Sequence, residues 1–222
     1  MSNVLVLAVH PDDETLGCGG TLLKHKASGD NIYWLIATAM KEESGFNKKQ
    51  IEEREHEIDT VKGMYGFSEL FNLDIPTTKA DKITSKELIT KISDIFNNVK
   101  PEIIYLPFMH DVHSDHRVIF DAAYSCTKTF RYPFIRKILM METISETELA
   151  PPTKETIFIP NSFVNISNFM DKKLEIMRVF ESEHGNHPFP RSPETIKAIA
   201  TARGAIAGCK FAEGFMVLRE IL

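Results

Sequence analysis

The sequence predicts an α/β protein with a Rossmann-like fold, a mostly parallel β-sheet with helices on both faces. Two observations support this class. Short apolar runs rich in β-branched residues alternate with longer segments of helical periodicity, the pattern of consecutive β-α units. The first run, Val4 to Val9, is apolar throughout, as expected for a parallel strand buried on both faces.

Four strands alternate with three helices in the first half of the predicted order. The helix after the first strand has leucines at helical spacing and stops at Gly29. The next helix is strongly charged with interspersed apolar residues, so it is amphipathic. The predicted strands are Val4–Val9, Ile32–Thr38, Phe71–Ile75 and Ile103–Pro107, and the helices are 15–29, 48–64 and 84–98.

The second half continues with weaker periodicity, and prolines mark its loops. No repeat or linker divides the chain, so residues 1–222 are predicted to form a single domain. The predicted helices here are 116–129, 168–182 and 194–207, the strands are Ile135–Glu142, Phe163–Ile166 and 214–220, and 183–193 is a loop.

Composition excludes several classes of protein. The chain has 43% hydrophobic residues, 26% charged residues and a net charge of −5, which argues against a nucleic-acid coat or a polybasic membrane binder. Three cysteines without a CxxC pair fit a reducing compartment. The apolar run 4–9 is too short for a signal peptide or a membrane span. We therefore predict a cytoplasmic protein without a membrane anchor or a nucleic-acid partner.

The first candidate functional cluster is His-Pro-Asp-Asp-Glu at residues 10–14, directly after the first strand. Ligands of open α/β sheets bind beyond the carboxyl ends of the strands, where this cluster falls. Imidazole and carboxylate are ligands that Zn²⁺ accepts. Taken alone, the segment could instead be an acidic helix start, which the helix dipole favours.

The second cluster, residues 110–116, holds three of the eight histidines and two aspartates. It follows the predicted strand Ile103–Pro107, so it can converge on the first cluster at the same edge of the sheet. A solvated polar loop would explain this segment in isolation. Two such clusters at two strand ends indicate instead a three-ligand metal site with an open position for water.

These two clusters resemble the PIG-L/LmbE-like N-deacetylases, zinc-dependent amidases that act mostly on N-acetylglucosamine conjugates. Residues 10–14 match the HPDDE of the family's AHPDDE stretch, with one valine between its alanine and its histidine. Residues 113–116 match the family's HxDH pattern. The resemblance implies an LmbE-like fold. Further similarities are an R-x-x-E pattern at Arg54 and Glu57, a K…S segment over 173–182, and an RG…YAEAF ending over 203–215.

The resemblance implies a metal site and a substrate class. His10, Asp13 and His116 would bind one Zn²⁺ per chain, with other divalent metals such as Fe²⁺ as alternatives. The substrate would be a small N-acetylglucosamine conjugate, hydrolysed at its N-acetyl amide to acetate and a free amine. The partner is thus a small-molecule amino-sugar conjugate, and a homo-oligomer is expected.

The same resemblance implies three catalytic residues. Asp12 would be the general base that activates a zinc-bound water. His113 would stabilise or protonate the developing oxyanion, and Asp115 would orient His113 as an outer carboxylate.

Arg54 is the candidate substrate-binding residue, because a guanidinium can bind a carboxylate, a phosphate or sugar hydroxyls. Its alternative is an i,i+3 ion pair with Glu57 on a helix surface. Several further polar residues stay open between pocket contacts and solvated loop positions: His110, His184, His187, Glu42 and Glu43.

Two other functions remain open from the residues. A different metal-dependent hydrolase, an esterase or a phosphoesterase, would use similar ligands, and phosphoesterases often hold two metal ions. A non-catalytic carbohydrate-binding module could retain the fold. The metal count per chain and the effect of Asp12→Asn separate these alternatives from a deacetylase.

Overall fold

The computed structural model describes residues 1–222, which form one seven-stranded sheet between two layers of helices. Its strands are β1 (Asn3–Ala8), β2 (Asn31–Ala39), β3 (Glu69–Pro76), β4 (Ile103–Leu106), β5 (Lys137–Met141), β6 (Ser162–Asn165) and β7 (Ala212–Glu220). They lie in the order β3-β2-β1-β4-β5-β7-β6. Strands β1 to β5 pair in parallel, and β7 is antiparallel to both its neighbours. The predicted mostly parallel sheet is confirmed.

Six α-helices connect the strands. They are α1 (Asp13–Ala27), α2 (Lys48–Tyr65), α3 (Ser85–Val99), α4 (Ser114–Ser125), α5 (Met170–Met177) and α6 (Pro193–Ala207), with short 3₁₀ helices at Glu42–Ser44, Ala80–Lys82 and Glu181–Glu183. Every predicted helix and strand has a counterpart. None of the helices combines the length and apolar character that a membrane crossing requires.

The largest error in the predicted boundaries concerns the helix expected over 168–182. Helix α5 ends at Met177, and a separate 3₁₀ turn covers Glu181–Glu183. Phe180 between them is fully buried. The apolar periodicity of the sequence therefore continues beyond the end of the helix. Its φ of −79° and ψ of 79° are not helical, however. The chain therefore leaves the helix while still packing against the core.

Strand β1 is buried on both faces, as its unbroken apolar run predicts. Alternate side chains of β1 face two separate cores, one formed with α1, α2, α5 and α6 and the other with α3 and α4. The residues on the first face are Val4, Val6 and Ala8, and those on the second are Leu5 and Leu7, continued by Val9 directly after the strand; all lack exposed surface. This double burial fixes β1 in the centre of the molecule.

Helix α1 lies very close to the sheet and bends at Cys18, where φ is −146° and ψ is 22°. A Cβ atom on Gly17 would come within 2.7 Å of the Met141 side chain, and one on Gly20 within 2.7 Å of Ile166. The glycines of this stretch therefore serve close packing of the helix.

A buried ion pair satisfies the backbone groups that the bend releases. Lys173 Nζ donates to the Leu16 carbonyl at 2.9 Å, while the Glu213 carboxylate accepts from the N–H groups of Gly20 and Thr21 at 2.9 and 2.7 Å. Lys173 and Glu213 also contact each other at 2.7 Å, and their side chains are 4% and 5% exposed. The pair thus ties α1 to α5 and β7.

We expect Lys173→Met to lower the free energy of unfolding by about 3–5 kcal/mol, because it leaves the Glu213 charge buried and unpaired. Lys172 makes an exposed pair with Glu175, so Lys172→Met, the matched control, should cost no more than about 1 kcal/mol. Denaturant unfolding of the three proteins measures both effects. Equal losses in the two variants would contradict this role for Lys173.

Candidate active site

The two His/Asp clusters meet because β1 and β4 are neighbouring parallel strands. The carboxyl ends of β1 and β4 lie at the same edge of the sheet. The other neighbour of β1 is β2. This is a point where the strand order changes direction, the usual ligand position in such sheets. A cavity of about 220 Å³ lies there, lined by His10, Pro11, Asp12, Thr38, Ala39, Met40, Phe46, Arg54, Thr77, His113, Glu146, Glu183 and Arg191.

The three predicted metal ligands lie together. His10, Asp13 and His116 each offer one donor atom, and these atoms all lie within 4.8 Å of one another. His116 Nε2 is 3.3 Å from Asp13 Oδ2 and 3.3 Å from His10 Nδ1. Two imidazoles and one carboxylate suit Zn²⁺, and also Fe²⁺. The residues present therefore fit a divalent metal ion.

The tautomer of His116 suits a metal ligand. Its Nδ1 donates to Asp111 Oδ2 at 2.8 Å, and Asp111 Oδ1 accepts from the Thr147 hydroxyl at 2.7 Å. With the proton on Nδ1, the Nε2 lone pair faces Asp13 and is free for a metal. Burial opposes a charge on His116, yet the carboxylates of Asp13 and Asp111 raise its pKa to about 9. A metal ion binding at neutral pH would therefore displace a proton.

A second set of potential ligands shares one histidine with the first. His10, His113 and Asp115 also bring donor atoms within 4.8 Å of one another. His113 Nδ1, however, accepts the Asp115 backbone N–H at 3.1 Å. The neutral ring then carries its hydrogen on Nε2, which leaves no lone pair there for a metal. Burial and the nearby His10 and His116 lower the pKa of His113 to about 4, which keeps the ring neutral.

The expected contact between the Asp115 carboxylate and His113 is wrong. His113 is the N-cap of α4, so its ring accepts the first-turn N–H of Asp115. The Asp115 carboxylate accepts from the N–H groups of Thr78 and Ala80 at 2.7 and 3.2 Å and lies 3.6 Å from His10 Nε2. Asp115 thus fixes the His113 tautomer through its backbone and faces His10 with its carboxylate.

Asp12 occupies a strained backbone position beside the cavity. Its φ of 133° lies in a region that residues other than glycine rarely adopt. Its N–H donates to Glu14 Oε2 at 3.1 Å, and its Oδ2 accepts from Arg191 Nη1 at 2.7 Å. Burial raises the pKa of the Asp12 carboxyl, and the Arg191 guanidinium counteracts part of that rise.

Arg54 borders the cavity, but the structure does not leave its guanidinium free for the substrate contact expected from the sequence. Nη1 donates to the Pro11 carbonyl at 2.9 Å, and Nη2 contacts Ser182 Oγ at 2.9 Å and Glu183 Oε1 at 2.5 Å. Nε lies 2.9 Å from Glu57 Oε2, the predicted i,i+3 pair. Because these partners surround the guanidinium and both Nη atoms donate to them, Arg54 supports the turn that carries Asp12.

The residues whose roles stayed open lie outside the cavity lining. Asp111 belongs to neither set of potential metal ligands and binds His116 instead. Glu43 pairs with Lys79 at the surface, and His184 contacts the Arg178 carbonyl. The others in this group are Glu42, His110 and His187.

Sequence reasoning missed three charged residues of the cavity, Arg191, Glu146 and Glu183. Glu146 Oε2 accepts the His113 N–H at 3.2 Å, and Glu183 lies between two arginines. All three lie outside the α-helices and strands, and neither spacing nor periodicity distinguishes them from surface charges. The one available signal was an arginine between two prolines in the loop 183–193.

Comparisons with known proteins show a family match over the first half of the chain. The PIG-L family, described as GlcNAc-PI de-N-acetylase, matches residues 5–127. The diacetylchitobiose deacetylase of Thermococcus kodakarensis is 24% identical over 227 residues, which cover 96% of this chain and 82% of that protein.

Two solved structures share the fold over nearly their whole length. The conserved protein TT1542 of Thermus thermophilus has a TM-score of 0.77 at 26% identity, covering 100% of this chain and 97% of that one. GalB, the 4-carboxy-2-hydroxymuconate hydratase of Pseudomonas putida, has a TM-score of 0.77 at 16% identity, covering 100% and 98%. Because the fold also occurs in a hydratase, it does not by itself select the reaction.

We expect Asp13→Asn to weaken Zn²⁺ binding more than Asp115→Asn does, because Asp13 belongs to the donor set with free lone pairs. Loss of an outer carboxylate typically costs about 10–100-fold in metal affinity, and loss of a ligand should cost more. Competition with a chromogenic chelator measures both affinities, with circular dichroism as the folding control. A greater loss in Asp115→Asn would instead favour the set formed with His113.

Proposed function

The chain belongs to the PIG-L family, and on that basis we propose that it hydrolyses the N-acetyl amide of a small N-acetylglucosamine conjugate. The products would be acetate and a free amine, and residues 1–222 would act as one catalytic domain. The observation that carries this proposal is that one cavity receives Asp12, His113 and His10, a member of the metal donor set. A relative with 24% identity is named for deacetylation of an N-acetylated amino sugar.

His10, Asp13 and His116 would hold the metal ion, Zn²⁺ or alternatively Fe²⁺. When bound, such an ion supplies Lewis-acid chemistry, which polarises a carbonyl oxygen and lowers the pKa of water. The carboxylate of Asp13 is already fixed for this purpose, because its Oδ2 accepts the N–H groups of Val9 and His10 at 2.9 and 2.8 Å.

The chain's own residues would move the protons. Asp12 is the proposed general base, which takes a proton from the water that attacks the amide carbon. His113 Nε2–H would donate to the carbonyl oxygen as negative charge develops on it. The Asp115 N–H holds His113 in the tautomer that this donation needs. The proton taken by Asp12 then passes to the nitrogen, and the C–N bond breaks to give acetate and the amine.

The lining of the cavity suits a small hydroxyl-rich substrate. Most of its residues are polar or charged, including Thr38, Thr77 and Glu146, and these side chains can bond to sugar hydroxyls. An amino-sugar conjugate is therefore the substrate class that we propose. The cytoplasmic location and the homo-oligomeric state stay predictions.

A deacetylase explains this site better than the two alternatives. A two-metal phosphoesterase needs a second complete donor set, and the tautomer of His113 removes one ligand from the second candidate set. A non-catalytic binding module has no need for a strained aspartate beside the metal ligands. We therefore place the amide hydrolase first.

We expect Zn²⁺-loaded protein to release primary amine from at least one member of a panel of N-acetylglucosamine derivatives that vary at the anomeric position. Asp12→Asn should reduce the rate by about 10²–10⁴-fold, because it removes the general base while keeping the shape of the side chain. Asp121→Asn, at an exposed position of α4, is the matched control and should leave the rate unchanged.

Two results would contradict the proposal. Undiminished release by Asp12→Asn would remove Asp12 from the chemistry. Metal-loaded wild-type protein that releases no amine from any substrate of the panel would exclude N-acetylglucosamine conjugates as the substrate class. Metal content is measured in parallel, so that loss of activity is not confused with loss of the ion.

A further inference from the structure

We propose that Arg191 is a positioning residue for Asp12. It binds one carboxylate oxygen, Oδ2, and so leaves the other, Oδ1, free to act as the base in the cavity. This inference rests on the proposed function of the site, but the contact itself can be tested without turnover.

The guanidinium of Arg191 is held from several sides. Nη1 donates to Asp12 Oδ2 and to Glu183 Oε2, both at 2.7 Å, and Nε donates to Ser145 Oγ at 2.7 Å. Nη2 lies 3.7 Å from Glu146 Oε1. The side chain is only 18% exposed. A planar group with partners on each edge has one orientation, so it can hold Asp12 in one orientation as well.

Asp12 needs such a partner because of its place in the chain. It is the N-cap residue of α1, where an aspartate side chain normally accepts an N–H of the first helical turn. Here the Asp12 side chain makes no such capping bond. With φ of 133° and ψ of −27°, the Asp12 backbone lies outside the extended region that a capping residue normally adopts. Arg191 instead holds the Asp12 carboxylate beside the cavity. Without Arg191, no helix cap replaces this contact, and the carboxylate loses its fixed orientation.

Arg191 is also well anchored for this purpose. It directly precedes Ser192, the N-cap of α6, whose hydroxyl accepts the Thr195 N–H at 3.2 Å. The loop that carries Arg191 therefore ends on a fixed helix terminus. A proton-transfer group must be positioned to within about half an ångström. The attachment of Arg191 to the start of α6 meets that requirement.

Two rival roles make different kinetic predictions. Arg191 lines the cavity, so it could bind substrate directly, and its loss would then mainly raise KM. Alternatively, it could only fasten the loop 183–193 to the domain, and its loss would then lower stability without a specific effect on kcat. A positioning role lowers kcat and leaves KM nearly unchanged.

The matched control is Arg203, which lies on α6 and is bound to the Glu142 carboxylate. Its side chain is 23% exposed, close to the value for Arg191. Arg203→Ala therefore removes a comparable ion pair without touching Asp12.

The experiment measures kcat, KM and thermal stability of metal-loaded Arg191→Ala, Arg191→Lys and Arg203→Ala. We expect Arg191→Ala to lose about 100-fold in kcat, the usual effect of misplacing a catalytic group, with KM changed by less than about threefold. Arg191→Lys keeps the positive charge but not the planar guanidinium, so its kcat should lie between those of the wild type and Arg191→Ala. Added guanidinium ion should restore part of the activity of Arg191→Ala, and Arg203→Ala should keep the wild-type kcat.

Several outcomes would overturn the proposal. A raised KM with unchanged kcat would make Arg191 a substrate contact, and an unchanged kcat and KM would leave it without a role at Asp12. If Arg191→Ala does not fold, Arg191→Lys decides, because a kcat equal to that of the wild type would exclude positioning by the guanidinium fork.

A second measurement separates failure of this inference from failure of the proposed function. In protein with ¹⁵N-labelled arginine, the Arg191 side-chain resonances should shift in Asp12→Asn, while those of Arg203 should not. No shift at Arg191 would overturn the contact, whether or not the wild-type protein turns over any substrate. Wild-type protein that shows the shift but releases no amine would instead overturn the proposed reaction and leave the contact in place.

Discussion

The candidate site depends on one backbone constraint, the turn that leads from β1 into α1. Asp12 at this turn has a φ of 133°, a conformation that costs about 1–3 kcal/mol for a residue other than glycine. Glu14 accepts the Asp12 N–H, Arg54 binds the Pro11 carbonyl, and Asp13 accepts two N–H groups at the end of the strand. The turn sends two neighbouring carboxylates in different directions, one to the metal donors and one to the cavity, so that each can serve a different purpose.

The charges around the cavity form a continuous chain, and their effects are therefore coupled. Glu57 binds Arg54, Arg54 binds Glu183, Glu183 binds Arg191, and Arg191 binds Asp12. Arg54 and Arg191 each bind two carboxylates of this series, and Glu183 binds both arginines. Groups in one network do not contribute independently to stability or rate. Glu57 is thus linked to Asp12 through the network without contacting it.

The sequence predicted what is local and missed what depends on distant contacts. His10, Asp13 and His116 fall in short motifs at strand ends, so their convergence follows from a parallel sheet. The contact of Arg191 with Asp12 was missed, because it joins residues 179 positions apart and depends on the path of the loop that carries Arg191. The Asp115 contact was wrong because N-cap geometry, which decides whether a backbone N–H or a carboxylate meets the ring, is not encoded in residue spacing. The reversed direction of β7 was equally hidden, since an apolar run is the same in either direction.

The Lys173–Glu213 pair also bears on the order of events during folding. Glu213 accepts the N–H of Gly20 across 193 residues of chain, and Lys173 reaches the Leu16 carbonyl across 157. At about 5–20 residues per second, a ribosome makes Glu213 roughly 10–40 s after Gly20. Contacts between such distant residues form slowly, because a large loop must close first. The bent helix beside the metal ligands therefore lacks its buried partners for most of synthesis. The histidines and aspartates that are made first are thus held firmly only once β7 has joined the sheet.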